Sequence, residues 1–143
     1  MLYTAILGIV TSLVAAATYA LVADQIKGRQ LNKRFSTLKG RYRQCNLQGE
    51  EFDGRFTDIT EVRRNLLTLE GDDATRNRWR GTILMDERFP GFGFGNYQYQ
   101  YRPDCGRHEI QVAADGKTIF VRVENTSHGQ NPPFTLIWKR EEL

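Results

Sequence analysis

The chain has 143 residues, with twenty Lys and Arg against seventeen Asp and Glu and a net charge of +3, which is room for one domain and not two. That charge is unevenly placed. Residues 2–23 carry none, the stretch 24–43 sets Lys27, Arg29, Lys33, Arg34, Lys39, Arg41 and Arg43 against Asp24 alone, and the remainder is acidic. A basic collar beside an apolar run suits anionic lipid headgroups and lacks the one-face footprint of a nucleic-acid binder, so the lipid bilayer is the expected partner and nucleic acid is not.

The first predicted element is a transmembrane helix over 1–23. Its apolar run would span roughly 33 Å as a helix, enough for a bilayer core. The rival is a cleaved signal peptide. No Lys or Arg precedes the run, and Leu21-Val22-Ala23 puts a large residue where a cleavage site needs a small one. The collar on its C-terminal flank predicts a single pass with everything after Ala23 in the cytoplasm. Thr4, Gly8, Ser12, Ala16 and Ala20 recur every fourth residue, a small-residue stripe of the kind that lets helices approach closely. Gly8, Ser12 and Ala16 are its central members, so a homo-oligomer built through the membrane is expected. Residues 24–39 form a basic juxtamembrane segment. Ile26, Leu31, Phe35 and Leu38 give it one apolar edge, and a flexible basic linker is the alternative.

From Gly40 the period of the pattern changes from about 3.6 to 2. Strands are predicted over 40–47, weakly over 50–57, then over 62–70, 78–86 and 95–102. Three more follow around His108–Val112, Ile119–Val123 and Phe134–Trp138. Asp115-Gly116 marks a hairpin between two of them. Seven or eight short strands joined by turns imply a mainly β domain over 40–143, an antiparallel up-and-down barrel whose closure removes exposed edges. A flattened sandwich is the alternative.

GFGFGNYQYQY, Gly91 to Tyr101, needs separate treatment. A phosphate loop requires a following helix, but here a strand follows. The glycines are expected to allow a bulge or bend at a barrel rim. Alternation puts Tyr97, Tyr99 and Tyr101 on one face, and the polar residues between them assign that face inward. Buried phenols need partners. Either the tyrosines satisfy one another in a filled core, or they line an interior holding water or a polar ligand. By the same parity Tyr42, Trp79, Arg63, His108 and Arg140 fall inward, and the cations among them are candidates for an anionic ligand group.

Cys45, Cys105, His108 and His128 are too few and too scattered for a tetrahedral metal site. A Cys45–Cys105 disulfide would fit an oxidising compartment and not the cytoplasm. No G-x-S-x-G motif or nucleophile beside a base is evident. Neither an enzyme nor a cofactor is expected.

Gly40-x-Tyr42 resembles the Gly-x-Trp opening of lipocalin-like barrels. An N-terminal anchor precedes about a hundred residues of barrel carrying WRG at Trp79–Gly81, the GFGFGNYQY run, and IWKR at Ile137–Arg140. This layout resembles the membrane-anchored β-barrel effectors of bacterial cyclic-oligonucleotide anti-phage systems. The resemblance implies a bacterial inner-membrane protein whose barrel binds a cyclic dinucleotide and whose anchors then assemble and disrupt the membrane. Those effectors typically carry two transmembrane helices, and this sequence offers one. Two other functions compete: a tethered module for a small apolar ligand or lipid, and a filled barrel that docks a partner protein.

Overall fold

One helix, α1 (Leu2–Phe35), leads into a closed barrel of eight strands. The computed structural model describes residues 2–73, 77–127 and 132–142, with side chains from residue 5 onward. The side chain of Thr4 and the whole of His128 therefore lie outside the described residues. No proline interrupts the first 39 residues, so the helix runs without a break from the apolar stretch through the basic collar. The collar is helical, not a flexible linker. The apolar part is long enough to cross a bilayer and packs against nothing in the chain. Ser12 Oγ donates to Gly8 O at 2.9 Å, and Thr11 and Thr18 likewise bond back along the helix. Their hydroxyls are thus satisfied without water, as a bilayer requires.

After Phe35 the chain tightens into a single 3₁₀ turn, Ser36–Leu38, and enters β1 (Gly40–Cys45). The other strands are β2 (Glu51–Arg63), β3 (Leu66–Asp72), β4 (Arg78–Met85), β5 (Phe92–Tyr99), β6 (Cys105–Val112), β7 (Thr118–Asn125) and β8 (Phe134–Arg140). Each pairs antiparallel with the next, and β8 returns to β1 through Tyr42↔Arg140 and Gln44↔Trp138. The barrel is the expected one, with all eight strands present.

The end of the barrel that receives the helix is closed. Leu31, Phe35 and Leu38 are buried in the same apolar cluster as Tyr42, Ile59, Leu67, Leu69, Ile83, Met85, Ile110, Ile119 and Val121. Tyr42 Oη donates to Leu38 O at 2.7 Å. The Arg140 guanidinium donates to Thr37 O and Lys39 O, both at 2.6 Å, and so pins the 3₁₀ turn across the opening.

Two strand assignments change. β2 is one long strand through Arg63, where the sequence predicts a break and a new strand from Val62. The true turn is Arg64-Asn65, with Arg64 at φ +59°. It holds no Gly or Pro to announce it, and tertiary contacts support it instead. Arg64 N donates to Asn32 Oδ1, and its guanidinium pairs with Asp24 at 3.0 Å. β5 begins at Phe92, so GFGFG lies almost wholly within a strand and not at a rim. Phe92 and Phe94 face out, while Gly93 faces in, where a Cβ would come within 2.7 Å of Ile83 and Met85.

At Gly95 a Cβ would lie 1.7 Å from Thr82 O on β4, and the backbone cannot retreat without breaking the ladder. Gly95→Ala is expected to cost about 3 kcal/mol and to lower the thermal midpoint sharply. Gly116→Ala, in open space at φ +67°, should lose only about 1 kcal/mol. Parallel thermal melts of the two variants check this ordering.

Candidate ligand cavity

At the opposite end the described residues leave the barrel open. The mouth encloses a cavity of about 620 Å³, lined by Gln44, Arg55, Asp73, Trp79, Tyr97, Tyr99, Arg102, His108, Val123, Asn125, Phe134, Leu136 and Trp138. That volume lies within the range of small-molecule sites. A second hollow of about 380 Å³ lies on the outer wall over Phe94, Asn96, Arg107 and Arg122. It is an exposed charged face crossed by the Arg122–Glu109 pair, with no aromatic box to enclose a ligand.

The wall of the mouth is an aromatic box around one imidazole. His108 stacks on Tyr97, with centroids 4.6 Å apart and planes at 21°. Trp79 and Trp138 present to His108 at 5.3 and 5.5 Å, each steeply inclined. Tyr99 meets Tyr97 edge to face at 6.0 Å. Two glycines make room for these rings. A Cβ at Gly71 would fall 2.1 Å from the Trp79 indole, and one at Gly106 would fall 2.5 Å from Tyr97 Oη.

Polar groups in the box are incompletely satisfied. His108 Nδ1 and Trp138 Nε1 are buried and have no hydrogen-bond partner among the described residues. An orphaned buried polar atom is costly, and these two lie together in the aromatic box. Gln44 Nε2, by contrast, donates to Thr57 Oγ1 at 3.1 Å. Burial drives the His108 pKa down to about 3, so the imidazole is neutral at pH 7. Burial also pushes the Tyr97 phenol up to about 12, with Tyr99 and Asp104 adding to the rise.

The cations at the mouth are not the expected ones. Arg63 ends β2 at the closed end, exposed, because the turn at 64–65 separates it from the parity of Leu67 and Leu69. Arg140 is engaged by the carbonyls of the 3₁₀ turn. His108 faces the cavity but carries no charge. Arg55 and Arg102 stand there instead. The Arg102 guanidinium lies 3.9 Å from the centre of the Tyr99 ring and pairs with Asp104 at 2.7 Å. Arg55 lies 5.3 Å over the Phe52 ring and makes no ion pair among the described residues.

Of the other predicted site residues, Trp79, Tyr97 and Tyr99 line the cavity. Tyr42 is fully buried below it, bonded to the 3₁₀ turn. Tyr101 is 81% exposed, because β5 ends at Tyr99 and the chain turns before it. Gln44 shares parity with Tyr42, and Arg55 with Thr57 and Ile59, so alternation could have found both once β2 is read as one strand. Gly8, Ser12 and Ala16 are exposed along the apolar helix. Cys45 and Cys105 are both free. Among the described residues no group of His, Cys, Asp or Glu is placed to hold a metal. No family model, curated protein or solved structure matches the chain.

The buried imidazole makes stability depend on pH. The unfolded chain protonates this histidine as pH falls through 6.5, while the folded chain resists until about 3. Stability is therefore fully present above 6.5 and is lost as pH falls toward 3, by up to about 1.4 kcal/mol per pH unit. In thermal melts of the detergent-solubilised chain between pH 7 and 4, His108→Gln should flatten this slope, and an unchanged slope would contradict the assignment.

Proposed function

We propose that the chain is a membrane-tethered sensor whose barrel mouth receives a small, nucleotide-like messenger of the cyclic-oligonucleotide class. The observation that carries the proposal is the pair of buried, unpartnered atoms, His108 Nδ1 and Trp138 Nε1, in an aromatic box beside two arginines. A nucleobase has flat faces for Trp79, Tyr97 and Tyr99 and polar edges for orphaned nitrogens. A phosphate suits the planar fork of Arg55 or Arg102. The neutral imidazole then acts as a hydrogen-bonding group and not as a counter-ion. The step is binding, without catalysis.

The output is altered self-association of α1 in the membrane, along the stripe of Gly8, Ser12 and Ala16. It requires a ligand that binds one associated state better than another. In the setting implied by the sequence resemblance, a bacterial inner membrane with the barrel in the cytoplasm, such association would disturb the bilayer as part of anti-phage defence.

A second reading has its own support. Val123, Leu136, Phe134 and Trp138 make part of the cavity apolar, which suits a small apolar ligand or a lipid chain. Native mass spectrometry retaining a lipid on the purified protein would favour this module. The third alternative, a filled barrel that only docks a partner, finds little support beside a cavity of about 620 Å³.

Calorimetry of the full chain in nanodiscs against a panel of cyclic di- and trinucleotides tests the first reading. Binding is expected for at least one compound. Arg55→Gln and Arg102→Gln are each expected to weaken it about tenfold, which corresponds to about 1.4 kcal/mol, while Arg63→Gln leaves it unchanged. Absence of heat at high micromolar ligand across the panel would end the nucleotide proposal.

A further inference from the structure

The outer surface of the barrel is divided along its axis. Toward the mouth, β3 to β7 present Glu70, Arg78, Arg80, Gln98, Arg107 and Glu124. Toward the closed end β3, β4, β5 and β7 present Leu66, Leu84, Phe92, Phe94 and Phe120, all exposed, with Glu109 and Gln111 of β6 between the last two strands. Leu66, Leu84 and Phe94 are register neighbours on three successive strands. Below them, in the β4–β5 loop, Phe89 is 65% exposed.

This apolar end sits beside the start of the membrane span. The 64–65 turn grips α1 through Asp24 and Asn32, and the β4–β5 loop grips it through Lys27–Glu87 at 2.6 Å and Arg34 Nη1 to Glu87 O at 3.2 Å. Lys27 is four residues past Ala23, the last residue of the uncharged run, or about 6 Å along the helix axis. A headgroup layer is about 5–8 Å deep. The β4–β5 loop is thus held between Lys27 and Arg34, about 6 to 16 Å past the uncharged run, so its near side reaches the edge of that layer when α1 spans the bilayer. The charge there matches too. Arg29, Lys33 and Lys39 on the collar, with Arg63 and Arg88 on the rim, make no ion pair among the described residues. A row of unpaired cations beside an exposed aromatic residue is the arrangement that interfacial segments use on anionic membranes.

We propose that the closed end of the barrel is itself a lipid-docking surface: Phe89 enters the interface, Arg63 and Arg88 meet anionic headgroups, and the mouth is held facing away from the membrane. This inference rests on α1 spanning the bilayer and goes beyond ligand sensing.

The test uses the full chain reconstituted into vesicles containing phosphatidylglycerol, with and without bromine on the acyl chains. Trp79 and Trp138 are buried in the barrel, so the parent protein supplies the baseline. The emission that Phe89→Trp adds to the parent baseline should fall with brominated lipid, whereas that added by Tyr101→Trp at the mouth should not. The Phe89→Trp quenching should shrink in purely zwitterionic vesicles, and R63Q/R88Q should remove its dependence on anionic lipid. Alkaline extraction reports separately on the anchor. If the protein washes off the vesicles, both the anchor and the docking surface are overturned. If it stays while the indole introduced by Phe89→Trp remains unquenched, docking alone falls. Shielding of that indole from aqueous quencher that persists in detergent and rises with protein concentration would assign the patch to a second copy of the chain and overturn lipid docking.

Discussion

The structure depends on one shared core. Leu31, Phe35 and Leu38 belong to the same buried cluster as the inward residues of the strands, so the C-terminal end of α1 is the stopper of the barrel. A sheet closed on itself exposes its apolar interior to water at any end that is not sealed. Here one end is sealed by the chain's own entry segment. Arg140 reinforces the seal, because its two hydrogen bonds satisfy carbonyls of a turn that a strand ladder cannot reach. The rod and the barrel cannot separate without exposing that core, and the basic collar is thereby held as helix.

With one end committed to packing, the interior cavity is confined to the other. The lower interior holds aliphatic side chains in contact, while the upper interior holds rings that meet at edges and leave space. Large rings leave gaps because they cannot interdigitate as branched aliphatics do, and Gly71 and Gly106 extend those gaps by withholding a Cβ where Trp79 and Tyr97 turn. The consequence is polar dissatisfaction at His108 and Trp138. It is a cost that a filled core would have removed by substitution.

Much of this was legible in the sequence because alternation is a local property. The change of period at Gly40, the Asp115-Gly116 hairpin and the inward set of Tyr42, Trp79, Tyr97, Tyr99 and His108 all follow from it. What alternation could not supply is where a strand stops. Tyr101 shares the parity of Tyr97 but lies past the end of β5, and Arg63 precedes a turn that only contacts with α1 reveal. Parity also says nothing about depth in the barrel. Tyr42 and Arg140 face the axis at the sealed end, where backbone carbonyls already occupy them. The cations at the mouth, Arg55 and Arg102, lie inside the predicted strands 50–57 and 95–102, but the first strand was only weakly marked and parity puts Arg102 on the outward face, whereas β5 ends at Tyr99 and the turn brings Arg102 back to the mouth.

The seam between β1 and β8 joins the two ends of the molecule by a short path. Gln44 and Trp138 face each other across it at the cavity, and two residues on, Tyr42 and Arg140 face each other at the stopper. Two residues of strand are only about 7 Å. The side chains that would feel a ligand and those that hold the helix thus ride on the same pair of hydrogen-bonded strands. The β1–β2 register slips between Arg43 and Cys45, between these two levels, and a bulge is where a strand can change twist at least cost. The coupling a sensor needs is a bistable element that both sites bias. This seam touches cavity wall and stopper alike, and a ligand that favoured one twist of it would change how firmly the helix is held.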